Sequence, residues 1–153
     1  MFLIIQDSKV LKTKTQYILD LTDEEKEELI SSLDGIKHRM NELVEKFYFY
    51  FLQTKASNLF KTTDMMKQHV MFNSSIGIII AHINHPLLLQ EHLDNLILRH
   101  SHYGVSADYI DDFIESFKNA LQDIFQDSDD KQFIEMWYKL ITSVMSYFKT
   151  KIK

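Results

Sequence analysis

His100 stands at the end of an apolar helix stripe. Leu96, Leu93 and Leu89 precede it by four, seven and eleven residues, so on an α-helix all three lie within about 40° of its direction. An imidazole on such a stripe is stripped of water and stays neutral unless something pairs with it. Neutral imidazole is what a metal ion, haem iron included, requires of an axial ligand. The same stripe would also suit a core histidine hydrogen-bonded to a carbonyl, and this stretch alone leaves both readings open. Gly104 then breaks the helix.

Other polar groups sit at suggestive positions. Gln68 shares a helix face with Phe72, Ile76, Ile79 and Ile83, which would carry its carboxamide into apolar surroundings; the alternative is an ordinary exposed glutamine. His69 lies about 100° further round the same helix, so a small rotation would exchange the two. His82, His85 and His92 could suggest a separate metal site. Pro86 interrupts their register and no carboxylate–histidine pattern completes a ligand set, so they are expected on the surface.

The composition narrows the possibilities. A chain of 153 residues makes one domain able to bury about two thirds of its unfolded surface. With 3 Gly and 1 Pro, turns are few and elements long. Hydrophobic residues make up 45%, with 11 Phe, enough to line a ligand cavity as well as a core. The absence of cysteine excludes disulfides, thiolate metal sites and a cysteine nucleophile. A net charge of -5 without a basic cluster argues against nucleic acid. No apolar run is long enough for a membrane span, and residues 1–5 lack the basic start of a secretory leader. A cytoplasmic protein is expected.

The elements that must position these residues are helical throughout. Residues 1–20 read as an N-terminal extension, with a short helix over 10–19, and residues 21–150 as a single domain. Thr22 and Glu25 form a capping box with acids in the first turn. About 30 helical residues are expected to follow, kinked near Gly35, with Phe49–Leu52 buried on every side. Thr54–Thr63 is a connector anchored by Leu59 and Phe60. Asp64–Ile83 is the next helix. Pro86 opens the one that ends near His102. Ser106 opens a helix to Phe125, residues 126–130 form an acidic turn, and Gln132–Phe148 is the last helix. The class is all-α, with six to eight helices.

Arg99-His100-Ser101-His102-Tyr103-Gly104-Val105 resembles the proximal segment of the globins, where a basic residue and the iron-binding histidine stand three residues ahead of a Gly-Val pair. Phe47-Tyr48 is similar to the Phe-Tyr of the second helix in single-domain bacterial globins and flavohaemoglobins. Leu59-Phe60 is similar to the Leu-Phe whose phenylalanine wedges the haem. Gln68 precedes His100 at the distal-to-proximal separation of a bacterial globin with a short inter-helix loop, and Trp137 falls where such globins often carry a tryptophan. The likeness covers about residues 22–148. It departs in a Tyr48–Phe60 connector about two residues short and without the usual proline, and in Phe72, where an aliphatic residue is common. Tyr109 or Ile110 takes the place of a tyrosine behind the proximal histidine, with no clear glutamate beside it, and there is no reductase domain.

The resemblance implies a globin fold around haem b. His100 would bind the iron, its other ring nitrogen donating to a carbonyl of its own helix. Phe60, Phe72, Leu96, Val105 and Phe113 would supply apolar walls, and Arg99 or Lys67 would reach a propionate. Tyr48 and Gln68 would be the distal donors, steadying a gas ligand that gains negative charge. Such a pair implies tight binding of oxygen, with nitric oxide and carbon monoxide as further ligands, and conversion of nitric oxide to nitrate where an external reductase supplies electrons. His69 is the alternative distal residue or sixth ligand. The competing functions are a haem-based gas sensor acting through a partner protein, and a haem-free globin-like interaction module.

Overall fold

The computed structural model describes residues 18–126 and 131–152. Among them there is no strand; six α-helices and three 3₁₀ turns form the all-α fold expected. The sequence features assigned to residues 1–17 and 127–130 lie outside the described residues. The segment leading into the first helix is nevertheless anchored. Ile18 and Leu19 are buried in the core, and the backbone N–H of Asp20 donates to Ser143 Oγ at 3.1 Å.

Helix α1 runs Asp23–Ile36 behind the capping box the sequence predicts. Glu25 N–H donates to Thr22 Oγ1 at 3.1 Å, and Thr22 N–H donates to Glu25 Oε1 at 3.0 Å. The backbone donor of Thr22 chiefly, helped by Lys139, holds the Glu25 carboxyl below its ordinary range. The Lys139 ammonium lies 3.1 Å from Glu25 Oε2 and clips α1 to the last helix.

The single long helix expected here is two. A 3₁₀ turn over Lys37–Arg39 follows α1, and α2 runs Met40–Phe51. Arg39 takes φ -114 and ψ 0, outside the helical range, so the break falls just after Gly35 rather than at it. Phe49–Leu52 is not buried all round either. Phe49 is 60% exposed, because α2 buries only the stripe Met40, Leu43, Val44, Phe47, Tyr48 and Phe51. Tyr50 bonds Asp123 across the α2 interface.

The connector carries a 3₁₀ turn, Lys55–Phe60, capped by Thr54, whose hydroxyl accepts from Ala56 N–H at 3.1 Å. Helix α3 is Met65–Ala81, with Asp64 as its N-cap. Helix α4 is Pro86–His102, with proline in the first turn. A 3₁₀ turn over Ala107–Tyr109 precedes α5, Ile110–Ile124, and α6 is Lys131–Lys151.

The closest packing is α2 on α5, then α5 on α6 and α2 on α3. Helix α4 leans on α6, and α3 and α4 are not among the closely packed pairs. An aromatic cluster fills the α2–α3–α5 junction. Phe47 stacks on Phe72 with centroids 4.8 Å apart and on Phe51 at 5.1 Å, and meets Phe113 at 4.7 Å. Each such pair adds about 0.5–1.5 kcal/mol beyond simple burial. Trp137 is fully buried with no hydrogen-bond partner for its indole N–H among the described residues, so apolar packing alone holds it.

Candidate functional site

Helix α4 ends in a way that fixes His100. Gly104 takes φ 82, Val105 N–H donates to His100 O at 3.1 Å, and Gly104 N–H donates to Ser101 O at 3.2 Å. These two bonds are a Schellman cap, whose left-handed residue favours glycine. The side chain is fixed as well. His100 Nδ1 lies 2.6 Å from Leu96 O, so it carries the proton and leaves Nε2 as the lone-pair nitrogen. The Phe148 ring meets the imidazole edge-on, with centroids 5.4 Å apart, and Leu89 and Leu93 of the same helix are buried in the core. Burial is the main cause that lowers the basicity of His100; the nearby Arg99 charge adds to it and the Leu96 carbonyl opposes it. The ring is held neutral.

A second polar centre sits between α2 and α3. Gln68 Nε2 donates to Tyr48 Oη at 2.9 Å. Tyr48 is 3% exposed, and burial pushes its phenol up to about 12, against the opposing bond from Gln68. The phenol is therefore a donor at any physiological pH. Its ring meets Phe60 at 5.8 Å and Phe72 at 5.7 Å, both edge-on, so the short connector still delivers Phe60 to Tyr48.

His69 takes a different place. Its ring lies flat on the Tyr48 ring, 4.8 Å away with planes 8° apart, and it lines a cleft of about 460 Å³ with Asn41, Glu45, Asn73 and Ser74. Across that cleft Asn73 Nδ2 donates to Asn41 Oδ1 at 3.2 Å.

Phe60, Phe72, Leu96, Val105 and Phe113 are all half-buried, packed against the core while keeping an open side. Lys67 and Arg99 are exposed and enter no ion pair among the described residues. Among the histidines expected on the surface, only His85 is exposed. His82 and His92 are half-buried, and His82 Nδ1 and His92 Nε2 are buried without a hydrogen-bond partner among the described residues. Their placement follows from the α3–α4 corner, which turns both rings inward, and helical spacing broken by Pro86 could not reveal it. Phe148 beside His100 was likewise visible only as one apolar residue of the last helix. Its distance along the chain from His100 hides the contact.

The arrangement offers one neutral, largely desolvated imidazole with an available nitrogen on α4, half-exposed apolar side chains on four elements, and a hydrogen-bonded pair of donors on α2 and α3, of which Tyr48 is buried and Gln68 half-buried. No helix among the described residues is long and apolar enough to cross a membrane. No curated protein matches the chain. The family model described as Globin matches residues 44–148. That span runs from the buried face of α2 to the Phe148 that touches His100, and on that match the chain belongs to the globin family.

Proposed function

We propose that the chain is a haem b protein that binds dioxygen reversibly and, with electrons from an external reductase, converts nitric oxide to nitrate. The observation that carries this reading is the state of His100: half-buried, neutral, Nδ1 engaged by Leu96 O at 2.6 Å, and Nε2 without a hydrogen bond among the described residues. That is the form in which imidazole binds a metal. The surrounding residues fit the rest of a haem. Phe60, Phe72, Leu96, Val105 and Phe113 pack against the core while staying partly exposed, and α3 and α4 are not among the closely packed helix pairs. Exposed Arg99 and Lys67 are the cations that would meet the propionates.

When bound, haem supplies a ferrous iron with a position open to a diatomic gas and an electron that the gas can share. His100 would hold the iron through Nε2. Tyr48 would orient its O–H toward negative charge gathering on the ligand, while the Gln68 amide holds the phenol oxygen in place. The phenol cannot be lost to ionisation, because its pKa stands at about 12. The aromatic cluster around Phe47 excludes water from these donors, which strengthens them.

The purified protein is expected to be red, with one haem per chain. His100→Ala is expected to lose haem, whereas His85→Ala and His92→Ala retain it. Equal retention by all three variants would remove the basis of this function.

A second function, a gas sensor acting through a partner protein, draws on one contact path. Phe148 of α6 meets the His100 ring, and Ser143 of the same helix holds Asp20 at the edge of the N-terminal segment. Ligand-dependent proteolysis within residues 1–20 would favour the sensor, and equal cleavage with and without carbon monoxide would remove it.

A further inference from the structure

We propose that the outer face of α3 is where two copies of this chain meet, their α3 helices antiparallel about a two-fold axis at Ser74.

Helix α3 is apolar on both sides. Its inner side buries Ile76, Ile79 and Ile80. On an ordinary surface helix the opposite side is polar. Here it is not. Met66 is 82% exposed, Val70 66%, Met71 58% and Ile78 39%. Ser74 and Ala81 are exposed with them, and on a regular helix all six fall within an arc of about 140°. Charged residues make up 25% of the chain, yet none stands between Lys67 and Glu91.

The missing charges select the partner. Each copy carries a net charge of -5, so two copies repel wherever their acidic surfaces approach. The outer face of α3 is a meeting place without an acid, since α3 contains neither Asp nor Glu. A membrane surface suits it less, because helices that lie on bilayers flank the apolar face with several Lys or Arg. Lys67 is the only Lys or Arg of α3.

Lys67 also sets the direction of pairing. It stands in the first turn of α3, so a parallel pair would bring two ammonium groups together. An antiparallel pair centred on Ser74 moves them about 20 Å apart along the helix axis and sets the two helix dipoles in opposition, which is the favourable sense.

The face is self-complementary in that arrangement. Val70 comes opposite Gly77 of the second copy, and Met71 opposite Ile78. No atom lies within 4 Å of a would-be Cβ on Gly77, so the hollow there can receive the valine side chain. Two-fold symmetry makes each of these contacts twice. A helix of 17 residues is only about 25 Å long. The contact area is therefore at the low end for specific interfaces, and a dissociation constant of about 10–100 µM is expected.

The test is sedimentation velocity on the full-length protein from about 5 to 500 µM, a range that brackets that constant. The weight-average mass should climb from monomer toward dimer. Val70→Asp and Gly77→Gln are each expected to weaken association by about tenfold or more, one by burying a charge and the other by filling the hollow. Gly77→Gln also removes a glycine from a helix interior, so its melting temperature should not fall, which separates lost pairing from lost folding. Leu98→Asp, at an exposed position of α4, should leave association unchanged. The chain has no cysteine, so oxidation of Ser74→Cys should cross-link two copies, whereas Met66→Cys, with its two sites about 24 Å apart along the axis, should not. A monomer throughout the range, association that survives Val70→Asp, or cross-linking through Met66→Cys in preference to Ser74→Cys would each overturn the proposal. Co-sedimentation of a monomeric chain with phosphatidylcholine vesicles would overturn it too, assigning the face to a bilayer. None of these outcomes touches the haem assignment.

Discussion

Gln68 donates to the phenol oxygen of Tyr48 across 2.9 Å, so Tyr48 keeps its own hydrogen for a third partner. With haem and oxygen bound, Tyr48→Phe is expected to remove that donor at a cost of about 1–3 kcal/mol. Oxygen release should then accelerate by roughly 5–150-fold, with faster autoxidation, measured by stopped-flow displacement with carbon monoxide. An unchanged release rate would place Tyr48 outside the ligand pocket.

The stacking of His69 on Tyr48 occupies the imidazole that could otherwise compete for the iron. The reduced, unliganded haem protein is therefore expected to be five-coordinate, since the Gln68 amide is a poor ligand for ferrous iron beside imidazole. Its absorption and resonance Raman spectra should be high-spin. A low-spin ferrous spectrum that His69→Ala abolishes would show that His69 leaves the stack and becomes the sixth ligand.

His100 and His92 are both held below the ordinary histidine value of 6.5, chiefly by burial. In the haem-free protein the unfolded chain takes up protons that the folded chain refuses. Their contribution to stability is then fully present above 6.5 and is lost as pH falls below that value toward their lowered folded-state pKa. Melting temperature should hold steady near about pH 7.5 and decline toward about pH 5.5. His92→Gln should reduce the decline, and a flat profile would contradict the burial of these rings.

Gly104 holds φ 82 with no atom near a would-be Cβ, so backbone conformation alone sets the cost of a side chain there. Gly104→Ala is expected to destabilise the protein by about 1–2 kcal/mol, and Gly104→Asn by less. Chemical denaturation would measure both. Equal stability of all three proteins would mean that the turn relaxes without loss.

The helices, the capping box and the proline start of α4 were legible in the sequence because each rests on local periodicity or local hydrogen bonding. The His100 stripe was legible for the same reason, since Leu89, Leu93 and Leu96 belong to its own helix. What escaped was set at a distance. Phe49 reads as one more apolar residue in a run, and only the packing of α2 on α5 decides which side of that run is buried. His82 and His92 read as polar surface until the α3–α4 corner turns them inward. The split near Gly35 was visible as a weak point, but its exact place depends on how α1 meets α3 and α6. His69 and Gln68 are neighbours on one helix, and periodicity could not say which ring or amide would face what. The stack with Tyr48 requires the second helix.

The Schellman cap at Gly104 has a mechanical consequence. Residue 100 is tied at both ends, its ring to Leu96 O and its carbonyl to Val105 N–H, so the imidazole and the corner form one strut. That strut runs through Ala107–Tyr109 into α5, the helix packed most closely on α2, where Tyr48 sits. If His100 holds haem iron as proposed, a displacement of its ring would therefore be carried along this strut toward the helix that packs on α2 and its Tyr48.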